Sequence, residues 1–122
     1  MPSPISTWQF NFDYDYNLEA KDDKSIHMLI NSGIDFNMLK LHGISQRYFG
    51  EKVIQSGLVL NPSLTWICFH GCFDMAYFLK VLMMEPLPQK KHNFHLLINQ
   101  FFPKLLDIKS FVYNQIRFDG GL

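Results

Sequence analysis

The chain has 122 residues, and its 11 basic and 11 acidic side chains give a formal charge of zero. This length suits one domain of modest size, and an aromatic content of 16 % excludes a disordered chain. The zero charge argues against a protein that holds duplex DNA through its own cations. No apolar run is long enough to cross a membrane, and the N-terminus lacks a signal-peptide pattern. The two cysteines exclude a disulfide-rich scaffold and predict a reducing, intracellular setting.

Residues 7–16 carry the strongest strand pattern of the sequence. Aromatic residues alternate with polar ones over this stretch, and a period of two is typical of a half-buried strand. We therefore expect a strand with one buried aromatic face, at an edge or in an antiparallel position. The aromatic face consists of Trp8, Phe10, Phe12, Tyr14 and Tyr16, and the polar face of Gln9, Asn11, Asp13 and Asp15.

The rest of the chain mixes helical and strand patterns. Capping residues, apolar spacing and glycine or proline stops predict four helices, and short apolar runs predict strands. This mixture predicts an α/β or α+β fold. The predicted helices run from Ser25 to Gly33, from Ser45 to Gly57, from about Phe73 to Met84 and from Asn93 to Phe102, and the predicted strands cover 58–60, 66–69 and 105–108.

Cys68, His70 and Cys72 form a candidate zinc site, because thiolate and imidazole are ligands that zinc prefers. An extended strand would place these three side chains on one face, and His92 or His95 could supply a fourth ligand. The alternative is that both cysteines are small buried apolar residues. A single pair of cysteines four positions apart is a weak metal signal, which favours the alternative.

Three acidic residues are further candidates. Asp13 and Asp15 have a spacing that can hold magnesium, although acids on a solvated strand face more often protect a sheet edge. Asp74 lies between an apolar strand and an apolar helix, where a buried carboxylate needs a cation or hydrogen bonds to compensate it. Alternatively, Asp74 is the N-cap of the helix that begins there. The pattern alone leaves both interpretations of Asp74 open.

Several stretches of the chain resemble one family in order and spacing. They are STWQFNF at 6–12, SGIDF at 32–36, WICFHGCFDMAYFLK at 66–80, FFP at 101–103, DIK at 107–109 and the closing GGL at 120–122. These motifs resemble the CCR-associated-factor catalytic subunits of the CCR–NOT deadenylase complex, in particular its plant-like members. The resemblance runs from about residue 5 to the end of the chain.

This resemblance implies an α/β fold, an RNase H-like mixed sheet flanked by helices, and a DEDD-group ribonuclease that shortens poly(A) tails from the 3′ end. Four carboxylates of that group bind two divalent ions, Mg or Mn, which activate a water and stabilise the leaving oxygen. Asp74 matches the acid of the second exonuclease motif and is implied to be a catalytic metal ligand. His70 and Phe73 match the frame of that motif and are implied to contact single-stranded RNA.

This chain departs from the family pattern at both ends, where two of the family's motifs are not found in the sequence. The first family motif, an Asp-x-Glu, would precede Trp8, and the last Asp with its His or Glu general base would follow Leu122. We therefore expect residues 1–122 to form a partial ribonuclease domain, incomplete at both ends and lacking the first and last exonuclease motifs. One of four metal carboxylates would remain, so we expect this fragment or truncated member to be inactive alone.

The family further implies two protein partners, a NOT scaffold subunit and a second deadenylase subunit, and a place in the nucleus and cytoplasm. Ile54, in the helix predicted after Ser45, is the exposed apolar candidate for the scaffold contact, with ordinary core packing as its alternative. A competing function is a non-catalytic truncated paralogue that only binds the scaffold. A small structural zinc protein is the third possibility. Neither a membrane nor duplex DNA is an expected partner.

Overall fold

A computed structural model describes residues 4–19 and 21–112 of the chain. Two compact units are present, the first extending to Tyr48 and the second beginning at Phe49. Within the described ranges, no helix is long and apolar enough to cross a membrane. The helices are α1 (Asp23–Asn31), α2 (Phe36–His42), α3 (Gln46–Ser56), α4 (Cys72–Met83) and α5 (Lys91–Phe101), and the strands are β1 (Trp66–Cys68) and β2 (Leu105–Asp107). Residues 108–112 are also helical.

Both helices of the first unit begin at an aspartate cap. The Asp22 carboxylate accepts a hydrogen bond from the Ser25 amide at 3.2 Å, so α1 starts before the predicted Ser25. The Asp35 carboxylate accepts hydrogen bonds from the amides of Asn37 and Met38 at 3.0 and 3.1 Å. These caps satisfy amides that the first turn of a helix leaves unpaired. The sequence did not predict α2, because seven residues are too few for a clear helical period.

The predicted strand over residues 7–16 is wrong. Among the described residues, this extended segment makes only a single parallel bridge, between Phe12 and Ile44. Its aromatic face is buried only in part, since Phe12 and Tyr14 are half-buried, whereas Trp8 and Phe10 are 67 % and 50 % exposed. Alternation of aromatic and polar residues produces a strand only where another backbone pairs along its length. A single bridge does not supply that pairing.

The second unit contains a parallel pair of strands. Trp66 of β1 pairs with Leu105 of β2, and Cys68 pairs with Asp107. The connection between the strands contains α4 and α5, as a parallel crossover requires. This arrangement agrees with the expected α/β class. Within the described ranges, the sheet consists of this parallel pair, and the antiparallel part of the expected mixed sheet is not among the described residues.

The predicted elements of the second unit are mostly confirmed. Helices α3, α4 and α5 and strands β1 and β2 lie where the sequence predicts them, within one or two residues at their ends. The predicted strand at 58–60 is wrong, because this segment is a bend in which Leu60 has a φ of 57°. Val59 is nevertheless buried, with 2 % of its surface exposed. Its apolar character therefore indicated burial and not strand pairing.

An aromatic cluster lies at the centre of the second unit. The Trp66 ring is 5.5 Å from the Phe78 ring and 5.3 Å from the Phe102 ring, measured between centroids. The Trp66 indole N–H also donates a hydrogen bond to the Leu58 carbonyl at 2.8 Å, which satisfies its polar atom. The buried residues that form the core around this cluster are Val53, Val59, Met75, Leu79, Leu82, Ile98 and Phe102.

Gly50 allows α3 to approach the backbone of α4. A Cβ atom at this position would lie 2.7 Å from the carbonyl oxygen of Val81, which is closer than van der Waals contact permits. The rings of Phe49 and Phe78 meet beside this crossing, with centroids 6.5 Å apart. Gly50 is therefore required by space, because its backbone is ordinary helix.

Candidate functional site

The turn between β1 and α4 carries the candidate residues of the second exonuclease motif. His70 has a φ of 52°, a left-handed backbone conformation that residues other than glycine rarely adopt. Gly71 follows as the N-cap of α4, and a Cβ atom there would lie 2.7 Å from the Cβ of Cys68. The turn therefore needs a glycine at 71 because of crowding, and it reverses the chain directly from strand into helix.

Asp107, at the end of β2, holds this turn in place. Its Oδ1 accepts a hydrogen bond from the His70 amide at 2.9 Å, and its Oδ2 accepts one from the Gly71 amide at 3.3 Å. Oδ1 also accepts the Lys109 amide at 3.0 Å. These donors, the His70 amide first, lower the pKa of the Asp107 carboxyl below its ordinary value. Asp107 is thus a half-buried carboxylate that accepts hydrogen bonds from three backbone amides.

Asp74 lies in the first turn of α4 with its side chain exposed to solvent. Both interpretations left open by the sequence are wrong, because the residue is not buried and Gly71 is the N-cap. A negative charge in this turn is favoured by the helix dipole. No hydrogen bond or ion pair with the described residues occupies the carboxylate, so both of its oxygens are available to a ligand.

Exposed aromatic side chains lie near Asp74 in the sequence. Phe73 is 77 % exposed, and His70 is also exposed, so both are accessible beside the carboxylate. Tyr77, one helical turn after Phe73, is 70 % exposed on the same face of α4. Solvent-exposed aromatic faces can stack on nucleic-acid bases. The surroundings of Asp74 therefore combine a carboxylate with accessible rings.

The zinc interpretation of the cysteines is not supported by the geometry. Cys72 lies in α4 and His70 has a left-handed backbone, so they do not share a strand face with Cys68. Within the described part of the chain, no group of three histidine, cysteine, aspartate or glutamate residues is arranged to hold a metal ion. Burial raises the pKa of the Cys68 thiol, and the charges of Asp107 and Asp74 act in the same direction. A protonated thiol is a poor zinc ligand.

A small cavity brings parts of these elements together. Its volume is about 150 Å³, and its lining includes Cys68, Cys72, His95 and Asp107. Met75, Phe94, Ile98 and Leu105 make the rest of its wall mainly apolar. His95 thus approaches the cysteines as the zinc hypothesis expected, but the Asp107 carboxylate there is bonded to backbone amides. The alternative of two buried apolar cysteines is also wrong, because Cys68 is half-buried and Cys72 is exposed.

The acidic pair of Asp13 and Asp15 is also not a metal site. The Asp15 carboxylate forms an ion pair with Lys40, with 2.8 Å between Oδ2 and Nζ, and accepts the Asn17 amide at 3.0 Å. The hydrogen bond from Lys40 is the largest cause of a lowered pKa at Asp15. Asp13 bonds through its backbone to Ile44, at 3.0 Å. Asp15 therefore helps to order the first unit, whereas the predicted protection of a strand edge is wrong, because residues 7–16 do not form a strand.

The exposed Asp74 carboxylate is chemically able to bind a divalent metal ion. Carboxylate oxygens are the ligands that Mg²⁺ and Mn²⁺ prefer, and an exposed carboxylate leaves room for the water ligands of such ions. The Asp107 carboxylate, at the end of β2, already accepts three backbone amides and is therefore less available to a metal ion. Within the described part of the chain, no further histidine, cysteine or carboxylate is arranged with Asp74 to complete a metal site.

Ile54 lies on the exposed flank of α3. Gly50 and Val53 face the core, whereas 38 % of the Ile54 surface is exposed, so the alternative of ordinary core packing is wrong. Arg47 and Glu51 precede Ile54 by seven and three residues, which places all three on one side of the helix. An apolar residue among charged neighbours is a possible contact point for another protein.

Three curated proteins are similar to nearly the whole chain. Poly(A) ribonuclease pop2 of Schizosaccharomyces pombe is 39 % identical over 121 residues, which are 99 % of this chain and 36 % of that protein. Poly(A) ribonuclease POP2 of Saccharomyces cerevisiae is 34 % identical over 92 % of this chain and 26 % of its own length. CCR4-NOT transcription complex subunit 7 of Caenorhabditis elegans is 35 % identical over 89 % of this chain and 35 % of its own length. No protein-family model matches the sequence.

Solved structures show the same relationship in the fold. The RNase domain of yeast Pop2 matches with a TM-score of 0.82 at 31 % identity, over 99 % of this chain and 46 % of that chain. S. pombe Pop2p in its Mg²⁺- and Mn²⁺-bound form matches with a TM-score of 0.80 at 37 % identity, over 92 % of this chain and 48 % of that chain. Yeast CAF1 co-crystallised with the NOT1 MIF4G domain gives a TM-score of 0.80 at 30 % identity, over 99 % of this chain and 46 % of that chain.

These matches confirm the expected fold class, since the described units have the fold of part of an RNase H-like ribonuclease domain. The chain spans about half the length of the solved structures and about a quarter to a third of the curated relatives. Within that class, the chain is similar over nearly its whole length to part of proteins named poly(A) ribonuclease Pop2 or CCR4-NOT transcription complex subunit 7.

Sequence reasoning identified Asp74 and its exposed neighbours but missed Asp107 as part of the site. The available signal was Asp107 at the end of a predicted strand, because parallel strands end at the same edge of a sheet. Its partners, the amides of His70 and Gly71, are 37 and 36 residues away and carry no side-chain pattern of their own. Only the parallel register of β1 and β2 brings them together.

Proposed function

We propose that this chain takes part in shortening the poly(A) tails of mRNA, with Asp74 as a ligand of a catalytic divalent metal ion. The observation that carries the proposal is the exposed Asp74 carboxylate at the first turn of α4. The support from relatives is twofold. Two of them are named poly(A) ribonucleases, and a solved relative is a Mg²⁺- and Mn²⁺-bound form.

Each exposed residue of the turn has a role in this mechanism. Asp74 would hold a divalent ion, which when bound would supply Lewis-acid activation of a water and stabilisation of negative charge at the scissile phosphate. The Phe73 ring would stack on an adenine, since 77 % of its surface is accessible. His70 would donate a hydrogen bond to the RNA backbone from its exposed position beside the metal ligand.

We further propose that this chain does not degrade poly(A) alone. A pair of ions needs several carboxylates to hold it, whereas Asp107, the acid whose hydrogen bonds fix the turn before Asp74, is engaged by backbone amides. The remaining metal ligands would therefore come from residues outside the described part of the chain or from another polypeptide. Activity would then depend on assembly of the complete metal site.

Metal binding at Asp74 is tested by titrating the chain with Mn²⁺ and measuring affinity calorimetrically. D74N should lower the affinity more than about tenfold, because removal even of a residue that only orients a ligand costs that much. D23N is the matched control, since Asp23 is an acid in the first turn of α1. Equal affinities of D74N and D23N would contradict the metal role of Asp74.

The activity proposal is tested with a 5′-labelled oligo(A) in Mg²⁺ or Mn²⁺. We expect no stepwise shortening by the chain alone. Shortening that D74N abolishes would contradict the inactivity of the chain while assigning Asp74 to the reaction. Fluorescence anisotropy with oligo(A) tests the stacking role, and F73A should weaken binding about tenfold or more, as loss of one base–aromatic stack does. Tyr77→Ala provides a comparison one helical turn away.

A second proposal is that the chain binds a NOT1 MIF4G-type domain through the exposed flank of α3. The solved complex of CAF1 with that domain supports this partner, and the exposure of Ile54 supports the surface. Binding to a second deadenylase subunit is proposed from the family alone. Binding of NOT1 without any metal affinity would favour the non-catalytic paralogue over the enzyme.

The scaffold surface is tested by calorimetry with a purified NOT1 MIF4G domain. I54A should weaken binding about tenfold, which corresponds to about 1.4 kcal/mol and is typical of a buried apolar interface residue. L96A is the matched control, because Leu96 is a 55 % exposed apolar residue on α5. If I54A binds as tightly as L96A, the α3 flank is not the contact.

A further inference from the structure

The Asp107 carboxylate connects two chain segments that are far apart in sequence. It belongs to β2, and it accepts the amides of His70 and Gly71, which follow the neighbouring strand β1. Because Cys68 and Asp107 are paired at the ends of parallel strands, the carboxylate projects toward the chain that leaves β1. A third amide, that of Lys109, fixes the orientation of the carboxylate itself.

The turn that Asp107 binds is one that would not hold its shape unaided. His70 has a φ of 52°, a conformation disfavoured for a residue with a side chain. Such strain persists only where surrounding contacts over-determine the backbone. The hydrogen bond from the His70 amide to Asp107, at 2.9 Å, is such a contact, and the close approach of Gly71 to Cys68 is another.

The start of α4 depends directly on this turn. The Gly71 carbonyl accepts a hydrogen bond from the Met75 amide at 2.8 Å, which closes the first helical turn around Asp74. No side chain caps this helix, unlike α1 and α2 with their aspartate caps. The amide of Gly71 bonds to Asp107 while its carbonyl bonds into α4, so displacement of the turn would displace Asp74.

We propose that Asp107 is a positioning residue that sets the place of the Asp74 carboxylate by fixing the turn at His70 and Gly71. It acts through backbone amides and does not itself contact the metal or RNA. The effect on metal binding rests on the proposed function, whereas the effect on the turn does not. The two parts therefore have separate measurements.

The turn is tested by hydrogen exchange of backbone amides in the whole chain, followed by NMR. In D107A, the amides of His70 and Gly71 should exchange at least about tenfold faster, because both lose their acceptor. D107N retains one acceptor oxygen, so exchange at one of the two amides should stay slow. The amides of core residues Leu79 and Ile98 should keep their protection, which separates this result from general unfolding.

Asp35→Ala is the matched control, because Asp35 also accepts two backbone amides at a helix start but lies in the first unit. It should leave exchange at His70 and Gly71 unchanged. Unchanged exchange at these amides in D107A would overturn the proposal. If D107A unfolds the chain, the comparison rests on D107N, and unchanged exchange at both amides in that variant would overturn it equally.

The position of Asp74 is tested by Mn²⁺ broadening of amide resonances in the first turn of α4. D107A should lower Mn²⁺ affinity about tenfold, in the range typical of residues that orient a metal ligand, with D107N intermediate and D35A unchanged. Faster exchange of the turn in D107A with unaltered Mn²⁺ affinity would overturn the positioning role. Absence of broadening near Asp74 in the unaltered chain would instead overturn the proposed metal ligand, and the exchange data would still decide the role of Asp107 in the turn.

Discussion

Replacement of Gly50 by alanine tests the helix crossing on which the second unit is built. In an open helix, Gly→Ala stabilises by about 1 kcal/mol, because alanine loses less backbone entropy on folding. Gly50 is different, since a Cβ atom would lie 2.7 Å from the Val81 carbonyl oxygen, where ordinary contact begins at about 3.4 Å. The helices would therefore have to separate by about 0.7 Å at this point. The obstructing atom belongs to the α4 backbone and cannot rotate away.

The two effects have opposite signs, and the steric one should prevail. Overpacking of a close contact typically costs about 1–3 kcal/mol. Subtracting the gain of about 1 kcal/mol from helix propensity leaves a net loss of about 1 kcal/mol at the midpoint of that range. For a unit of this size, such a loss lowers the melting temperature by about 4–8 °C.

The measurement is thermal and urea unfolding of G50A, followed by far-UV circular dichroism. Q55A is the matched control, because Gln55 is exposed on the same helix and should change stability by less than about 0.5 kcal/mol. An increase in the stability of G50A would show that the propensity effect prevails. The approach of α3 to the Val81 carbonyl would then be looser than described, and the explanation of Gly50 by space would be wrong.

Two further predictions concern the core and the turn. W66F removes the indole hydrogen bond to the Leu58 carbonyl while it keeps an aromatic ring, so it should cost about 1 kcal/mol in urea unfolding, and an unchanged midpoint would contradict the role of that bond. The pKa of Asp107 is lower in the folded chain than in the unfolded one, so its stabilisation is complete above the unfolded pKa and is lost as the pH falls through the folded pKa. The melting temperature should therefore decrease below about pH 4, and D107N should reduce this decrease only partly, because two acids of the first unit also have lowered pKa values. Identical pH profiles for D107N and the unaltered chain would contradict this assignment.

The sequence predicted the longer helices well, because their signals are local. Apolar spacing and glycine stops located α3 and α4 within one or two residues, since these patterns depend on the segment itself. The strand at 7–16 failed for the opposite reason. Its alternation is regular, but a strand also needs a paired neighbour, and only Phe12 has one in the described part of the chain. The run at 58–60 failed similarly, because its apolar character reports burial of Val59 and not a hydrogen-bonded ladder.

The candidate site divides along the same line. The motif resemblance located Asp74, and the exposure of its side chain agrees with a ligand-binding role. The resemblance could not show whether this acid was buried, capped the helix or faced solvent, because the three cases share one sequence pattern. The anchor at Asp107 was also out of reach, since it depends on the register of two strands separated by two helices.

The side chains of residues 66–74 can be divided into structural and candidate functional ones by their contacts. Some have an identity that packing or space in the fold explains, and others do not. Trp66 is explained by its ring contacts and its hydrogen bond to the Leu58 carbonyl, and Gly71 by the lack of space for a Cβ atom. Phe73 and Asp74 have no such explanation within the described residues, since both are exposed and neither packs in the core, and the same is true of Ile67 and Phe69. Exposure of a large aromatic ring costs solvation free energy that a polar substitute would avoid. A carboxylate and an aromatic ring that stability does not require, presented together at a rigid turn, are therefore the residues in which a metal- and base-binding role should be sought first.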